Sequence, residues 1–172
     1  GRDIEIAVFD GLKGTGNNLC LPAGPLRESL ERTSEVDFII SSTQELNHPL
    51  INEDYVMTYE PINWVRLLDG ESVAAKDWPL TRSINAVAGI GNPLKFYNLL
   101  RDLGLDPIEH SFPDHYQFNE EDLTFNDNLP IIMTEKDAVK CRTFAKENFW
   151  FLPIDAVVNE KLFKKIIKKL RI

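Results

Sequence analysis

From Arg82 onward one pattern repeats: a short apolar run, a cluster of Gly, Asn, Pro or Asp, then a longer segment with helical spacing. Ile84 to Ala88 reads as a strand and is followed by Gly89-Ile90-Gly91-Asn92-Pro93. Asn92 is placed to cap a helix that begins at Pro93 and stops at Gly104, with Leu94, Tyr97, Leu100 and Leu103 on one buried face. Pro107 to Phe112 is the next strand, and Leu129 to Met133 the third, with Pro130 tolerated at its entry. Thr134-Glu135-Lys136-Asp137 opens another helix, Phe149 to Ile154 makes a fourth strand, and Asn159 to Leu170 closes the chain as a helix. That last helix is expected to bury Leu162, Phe163, Ile166, Ile167 and Leu170. Strand and helix in regular alternation require right-handed crossovers and parallel pairing. The expected fold is therefore α/β, three-layer, with a mainly parallel sheet and helices on both faces.

The first half is less regular. Asp3 to Asp10 reads as a buried strand, and Gly11 to Asn18 as a loop too rich in Gly and Asn for any regular element. Pro25 suits the first turn of a helix continuing to about Arg32. Asp37 to Ile40 is a short strand, residues 43 to 54 a polar loop, and Tyr55 to Leu68 one or two strands broken at Pro61. Residues 1–80 are expected to hold a linker strand, a substrate loop and the start of the domain, and 81–172 its βα core, in one compact domain.

A chain of 172 residues can bury one sizeable core. No apolar run approaches the ~18 residues of a membrane span, and no signal peptide is expected ahead of the first strand. Cys20 and Cys141 lie far apart, as reduced thiols of a cytosolic protein would, and form no zinc spacing. The net charge of −8 excludes nucleic acid as the main partner. Its distribution is uneven: residues 159–172 carry five lysines and Arg171 against Glu160, a net of +5, so the rest carries −13. Most such helices are solvated faces; the alternative is that these lysines meet an anionic membrane, at ~1 kcal/mol each.

Three loops of the second half leave a strand and enter a helix: Gly89 to Pro93, Phe112 to Asn119, and Thr134 to Asp137. A parallel sheet brings all three to its carboxyl edge, where ligands of open α/β sheets bind. Phe112-Pro113-Asp114-His115-Tyr116-Gln117-Phe118 sets a histidine directly after a carboxylate. Asn119 then caps a short acidic helix, with Phe118 and Leu123 placed as a hydrophobic staple. Gly89 and Gly91 allow close backbone approach to a ligand, but Gly-x-Gly-Asn-Pro is neither a dinucleotide fingerprint nor a P-loop. Thr134-x-x-Asp137 has capping-box spacing, which by itself accounts for both residues, and Lys136 fits a phosphate or open water equally. Residue by residue, the reading ends at an α/β domain with a phosphate-friendly edge. A phosphoryl-transfer enzyme and a non-catalytic nucleotide- or sugar-phosphate-binding module both remain open.

Six stretches taken together, RDIEIAVFDG, LPAGPLRE, AVAGIGNP, FPDHYQF, LPIIMTEKDAVKCR and FWFLPIDA, resemble the tetraacyldisaccharide 4′-kinase family over Arg2 to Ala156. The resemblance implies ATP- and Mg²⁺-dependent phosphorylation of a disaccharide lipid, the 4′-hydroxyl of tetraacyldisaccharide 1-phosphate, at the cytoplasmic face of a bacterial inner membrane. The residues above would form the carboxy-terminal part of such an enzyme, with ATP and Mg²⁺ held mainly by a P-loop half ahead of Arg2, and would be inactive alone. His115 matches the family histidine that pairs with a carboxylate base. Arg27 and Glu28 fall in the segment expected at the lipid head group. Gly89, Gly91, Asn92, Asp114, Thr134, Glu135, Lys136 and Asp137 would border the cleft, and no metal ligand is expected among these residues. The Gly14-Thr15-Gly16-Asn17-Asn18 loop departs from the Gly-Asn-Gly common in the family.

Overall fold

The computed structural model describes residues 3–11, 14–42, 55–78 and 80–170, so the expected polar loop at 43–54 lies outside the described residues. They form two compact units, one of residues up to 60 together with those from 156, the other of Pro61–Asp155.

The first unit is built on a four-stranded sheet in the order β1 (Ile6–Phe9), β2 (Phe38–Ser41), β3 (Tyr55–Pro61), β10 (Ile154–Val158). β1 and β3 both run parallel to β2, with Ile6 beside Phe38 and Ile40 beside Tyr55. The closing helix, α3 (Glu160–Leu170), lays Leu162 and Ile166 on Phe38, Ile40, Tyr55 and Met57. Behind the sheet, Ile39 and Leu30 are buried with Ala7, Phe9, Leu26 and Val36 around them.

Two expectations fail in this unit for one reason: apolar spacing shows a stripe but not its cover. β1 is the outermost strand, and Ile6 and Val8, on the same sheet face as Phe38 and Ile40, stay exposed rather than buried. On α3 only Leu162 is fully buried; Phe163 is 54% exposed, and Ile167 and Leu170 are exposed too. Three of its lysines are engaged, Lys169 with Asp37, Lys165 over the Tyr55 ring and Lys164 with Glu160 at 3.5 Å. The helix expected from Pro25 is a loop followed by a 3-10 turn at Leu30–Ser34, because Ser29 caps Glu31 at 3.3 Å and Leu26 bridges back to Cys20.

The second unit carries six strands in the order β5 (Ser72–Ala74), β4 (Asn63–Arg66), β9 (Phe149–Leu152), β8 (Ile131–Thr134), β6 (Ser83–Ala88), β7 (Asp106–Ser111). β9, β8, β6 and β7 are parallel, as expected; β4 joins β9 antiparallel and β5 joins β4 antiparallel. Helices cover both faces. α1 (Pro93–Asp102) buries Phe96, Tyr97 and Leu100 against Ile84, Ala86, Ala88, Ile132 and Leu152. On the opposite face α2 (Glu135–Cys141) brings Ala138 and Cys141 to Val87, Met133 and Phe149. Each large apolar side chain so covered contributes roughly 1.5–3 kcal/mol. Leu94, expected in the α1 stripe, is 60% exposed, and Phe96, two residues on, is buried instead. The short acidic helix after Asn119 is a single 3-10 turn, Glu121–Leu123. Phe118 and Leu123 nevertheless enter the same buried cluster, as a staple should.

Candidate functional site

The three expected loops emerge where β6, β7 and β8 end, and polar contacts hold them together. After Ala88 the ladder between β6 and β7 closes with Phe112 N–H donating to the Ala88 carbonyl at 2.9 Å. The Gly89 N–H then leaves the sheet pattern and donates to Asp137 Oδ2 at 2.8 Å. A Cβ on Gly89 would stand 3.1 Å from Asp137 Oδ1, 3.3 Å from the tip of Phe118 and 3.4 Å from the Pro113 carbonyl. A side chain there would need these neighbours to give by a few tenths of an ångström. Gly91 is exposed beside the Asp114 carboxylate, and Asn92 starts α1 without a side-chain cap bond, leaving Pro93 to begin the helix.

The histidine loop is shaped by aromatic packing and one unusual torsion. Phe112, Tyr116 and Phe118 pack on one another with centroids 4.9 to 5.2 Å apart. The Tyr116 N–H donates to the Pro113 carbonyl, and His115 sits at the turn with φ +62°, in the left-handed region. Its side chain is 79% exposed, with Nε2 3.8 Å from Asp114 Oδ2, too long for a hydrogen bond. Asp114 Oδ1 meets Lys136 Nζ at 2.8 Å, and that bond, with His115 nearby, holds its carboxyl below the usual aspartate range. Asn119 caps the following turn by accepting from Glu121 N–H and Asp122 N–H, while Asp122 accepts from Asn119 N–H at 2.9 Å.

Thr134 is the N-cap of α2, its Oγ1 accepting from Asp137 N–H at 3.2 Å. Asp137 itself is 0% exposed. Its carboxylate accepts from Gly89 N–H, from the Thr134 hydroxyl at 2.7 Å and from Lys140 Nζ at 2.7 Å. Of the residues singled out in the sequence, Gly89, Gly91, Asp114, His115, Thr134, Lys136 and Asp137 are thus brought together; Glu135 is exposed on the first turn of α2. Lys140 was missed by the sequence reading, although its i,i+3 spacing from Asp137 is the signal for such a pair.

Arg27 and Glu28 belong to the first unit. With Glu5, Phe9 and Arg32 they line a cavity of about 680 Å³ along β1. The loop that carries them is hydrogen-bonded to itself: the Asn17 side chain donates to the Ala23 carbonyl at 2.9 Å and accepts from Leu19 N–H at 3.2 Å. A Cβ on Gly24 would lie 2.1 Å from Asn17 Oδ1, and Gly16 has φ +59° against Pro25. Arg27 is exposed, whereas Arg32 is taken up by Glu5, Glu28 and Glu35.

Comparison with known proteins adds the family. The profile described as tetraacyldisaccharide-1-P 4′-kinase matches residues 1–171. The chain is 42% identical over 169 residues to the tetraacyldisaccharide 4′-kinase of Hahella chejuensis, covering 98% of this chain and 49% of that protein. It is 45% identical over 164 residues to that of Legionella pneumophila, covering 95% and 48%. Among solved structures, the "apo" form of LpxK from Aquifex aeolicus, in complex with ATP, superimposes with a TM-score of 0.73 at 26% identity, over 98% of this chain and 53% of that one. The chain thus spans about half the length of the curated relatives it matches.

Proposed function

The chain belongs to the tetraacyldisaccharide-1-P 4′-kinase family, and from that membership we propose that it works within an enzyme of lipid A biosynthesis. That enzyme moves the γ-phosphoryl group of ATP to the 4′-hydroxyl of tetraacyldisaccharide 1-phosphate. The observation that carries the reading is the family match across residues 1–171, joined to an exposed histidine at the carboxyl edge of a parallel sheet. His115 is the catalytic candidate. Its ring makes no hydrogen bond among the described residues, so it can turn to orient a carboxylate base that takes the proton of the attacking hydroxyl. Lys136, which Asp114 holds at 2.8 Å, brings positive charge to the same edge beside the Gly91 turn, as phosphoryl transfer requires. Arg27, exposed on an internally hydrogen-bonded loop, suits bidentate capture of the lipid's 1-phosphate, with Glu28 beside it.

The reading gives ATP and Mg²⁺ to the remainder of a protein of the relatives' length. Among the described residues no three His, Cys, Asp or Glu side chains converge as a metal site. The 172 residues alone are accordingly proposed to be inactive. Among the described residues no helix is long and apolar enough to cross a membrane. The membrane contact proposed is peripheral, at the cytoplasmic face of the inner membrane, through the lysines of α3. The test is transfer of label from [γ-³²P]ATP to tetraacyldisaccharide 1-phosphate by a protein of the relatives' length carrying this chain. Labelled bisphosphorylated lipid is expected from that protein and none from the 172 residues. ATP or sugar-phosphate binding without transfer would replace the kinase with a binding module.

A further inference from the structure

We propose that Asp137, paired with Lys140, is a positioning residue that sets where His115 stands. The loops after β6, β7 and β8 are separate pieces of chain, and beyond the strand ends no ladder keeps them in register. A capping box needs only the bond from Asp137 N–H to Thr134 Oγ1, with the acidic side chain turned back to the N-cap's own N–H. Here the carboxylate reaches instead to the Gly89 N–H, 48 residues away in sequence. A fully buried carboxylate is costly unless every lone pair finds a donor. Gly89, Thr134 and Lys140 supply three, each within 2.8 Å.

The consequence for His115 follows from what touches that node. The Cβ-free face of Gly89 meets the Pro113 carbonyl at the start of the histidine loop and Phe118 at its end. Lys140 Nζ, while paired to Asp137, lies 5.4 Å above the Phe118 ring. Both ends of the loop, Pro113 and Phe118, therefore lie beside partners of one carboxylate, Gly89 at both ends and Lys140 at Phe118, while Lys136 of the same helical turn ties Asp114 from outside. Asp137 does this without exposure of its own, and so acts on a ligand only through the loops it holds.

The test is Asp137→Asn, read in two ways. On this chain, amide exchange at Gly89 is expected to quicken by about 10-fold or more, while Val87 inside β6 keeps its rate. The imidazole resonance of His115 is expected to shift while that of His110 stays in place. If Gly89 and Val87 quicken together, or the His115 resonance does not move, Asp137 serves stability alone and the proposal is overturned. The second arm rests on the kinase reading: in the active protein kcat is expected to fall roughly 10-fold with KM for ATP within about 2-fold, and an unchanged kcat overturns the proposal. If the wild-type protein transfers no phosphoryl group, the kinase reading fails, and the exchange and imidazole signals then decide the proposal by themselves. Should D137N not fold, Lys140→Gln, which keeps a donor and drops the charge, carries the same comparison.

Discussion

Asn85→Ala is expected to destabilise the Pro61–Asp155 unit by an amount that the geometry lets us state. Asn85 is buried on β6, and its side chain is spent twice: Nδ2 donates to Asp127 Oδ1 at 2.9 Å, and Oδ1 faces His110 Nε2 at 2.8 Å. Because an ionised Asp127 can only accept, Oδ1 is left for His110, which must donate from Nε2. Removing the neutral bond costs about 1 kcal/mol. The bond to the carboxylate costs about 1–1.5 kcal/mol, the low end for a charged partner, since Asp127 is exposed and water replaces part of it. The total is roughly 2–2.5 kcal/mol, or a urea midpoint lower by about 1–2 M. Tryptophan fluorescence is the assay, because Trp64, Trp78 and Trp150 all lie in this unit and pack at 4.7 and 5.4 Å. Asp127→Ala also removes the bond that Asp127 Oδ1 accepts from Leu129 N–H at 3.0 Å. The double variant should therefore be worse than Asn85→Ala by about that one bond, ~1 kcal/mol, and by less than the full cost of Asp127→Ala alone. A midpoint unchanged in Asn85→Ala, or costs that simply add, would refute the network.

Three further outcomes are expected. Burial lowers the His110 pKa from the ordinary 6.5, so the unfolded chain takes the proton first; the stability it supports is complete above pH 6.5 and declines as pH falls below it. His110→Gln should flatten that decline, checked by urea melts between about pH 7.5 and 5.5. Burial pushes the Cys141 thiol up to about 12, so thiol titration of the native protein should label Cys20 and reach Cys141 only on unfolding. On α3, Leu162→Ala should cost about 2–5 kcal/mol and Phe163→Ala no more than about 0.5 kcal/mol, measured by thermal melts followed by circular dichroism.

The parallel half was legible because its signals are local. Ile84 to Ala88, Pro107 to Phe112 and Leu129 to Met133 are apolar runs closed by Gly, Pro or Thr, and all three appear as adjacent parallel strands. The break at Pro61 divides β3 from β4 as expected. What stayed hidden depends on partners distant in sequence. β5 is three residues long and exists by pairing with β4, and β10 follows β9 across a single proline into the other sheet. Likewise Leu94 and Phe163 obey helical spacing yet stay exposed, the buried positions being Phe96, Tyr97 and Leu100 on α1 and Leu162 on α3. At the site, spacing pointed to Thr134 capping Asp137, but the carboxylate's use on Gly89 is a contact across 48 residues that no local pattern contains.

The measurement that bears most directly on the kinase reading is the steady-state rate of His115→Ala in a protein of the relatives' length, with tetraacyldisaccharide 1-phosphate as acceptor. Loss of a group that orients the proton acceptor should lower kcat by roughly 10²-fold or more while KM for ATP stays within about 3-fold. A variant that turns over at the wild-type rate would contradict the account and remove the exposed histidine from the chemistry.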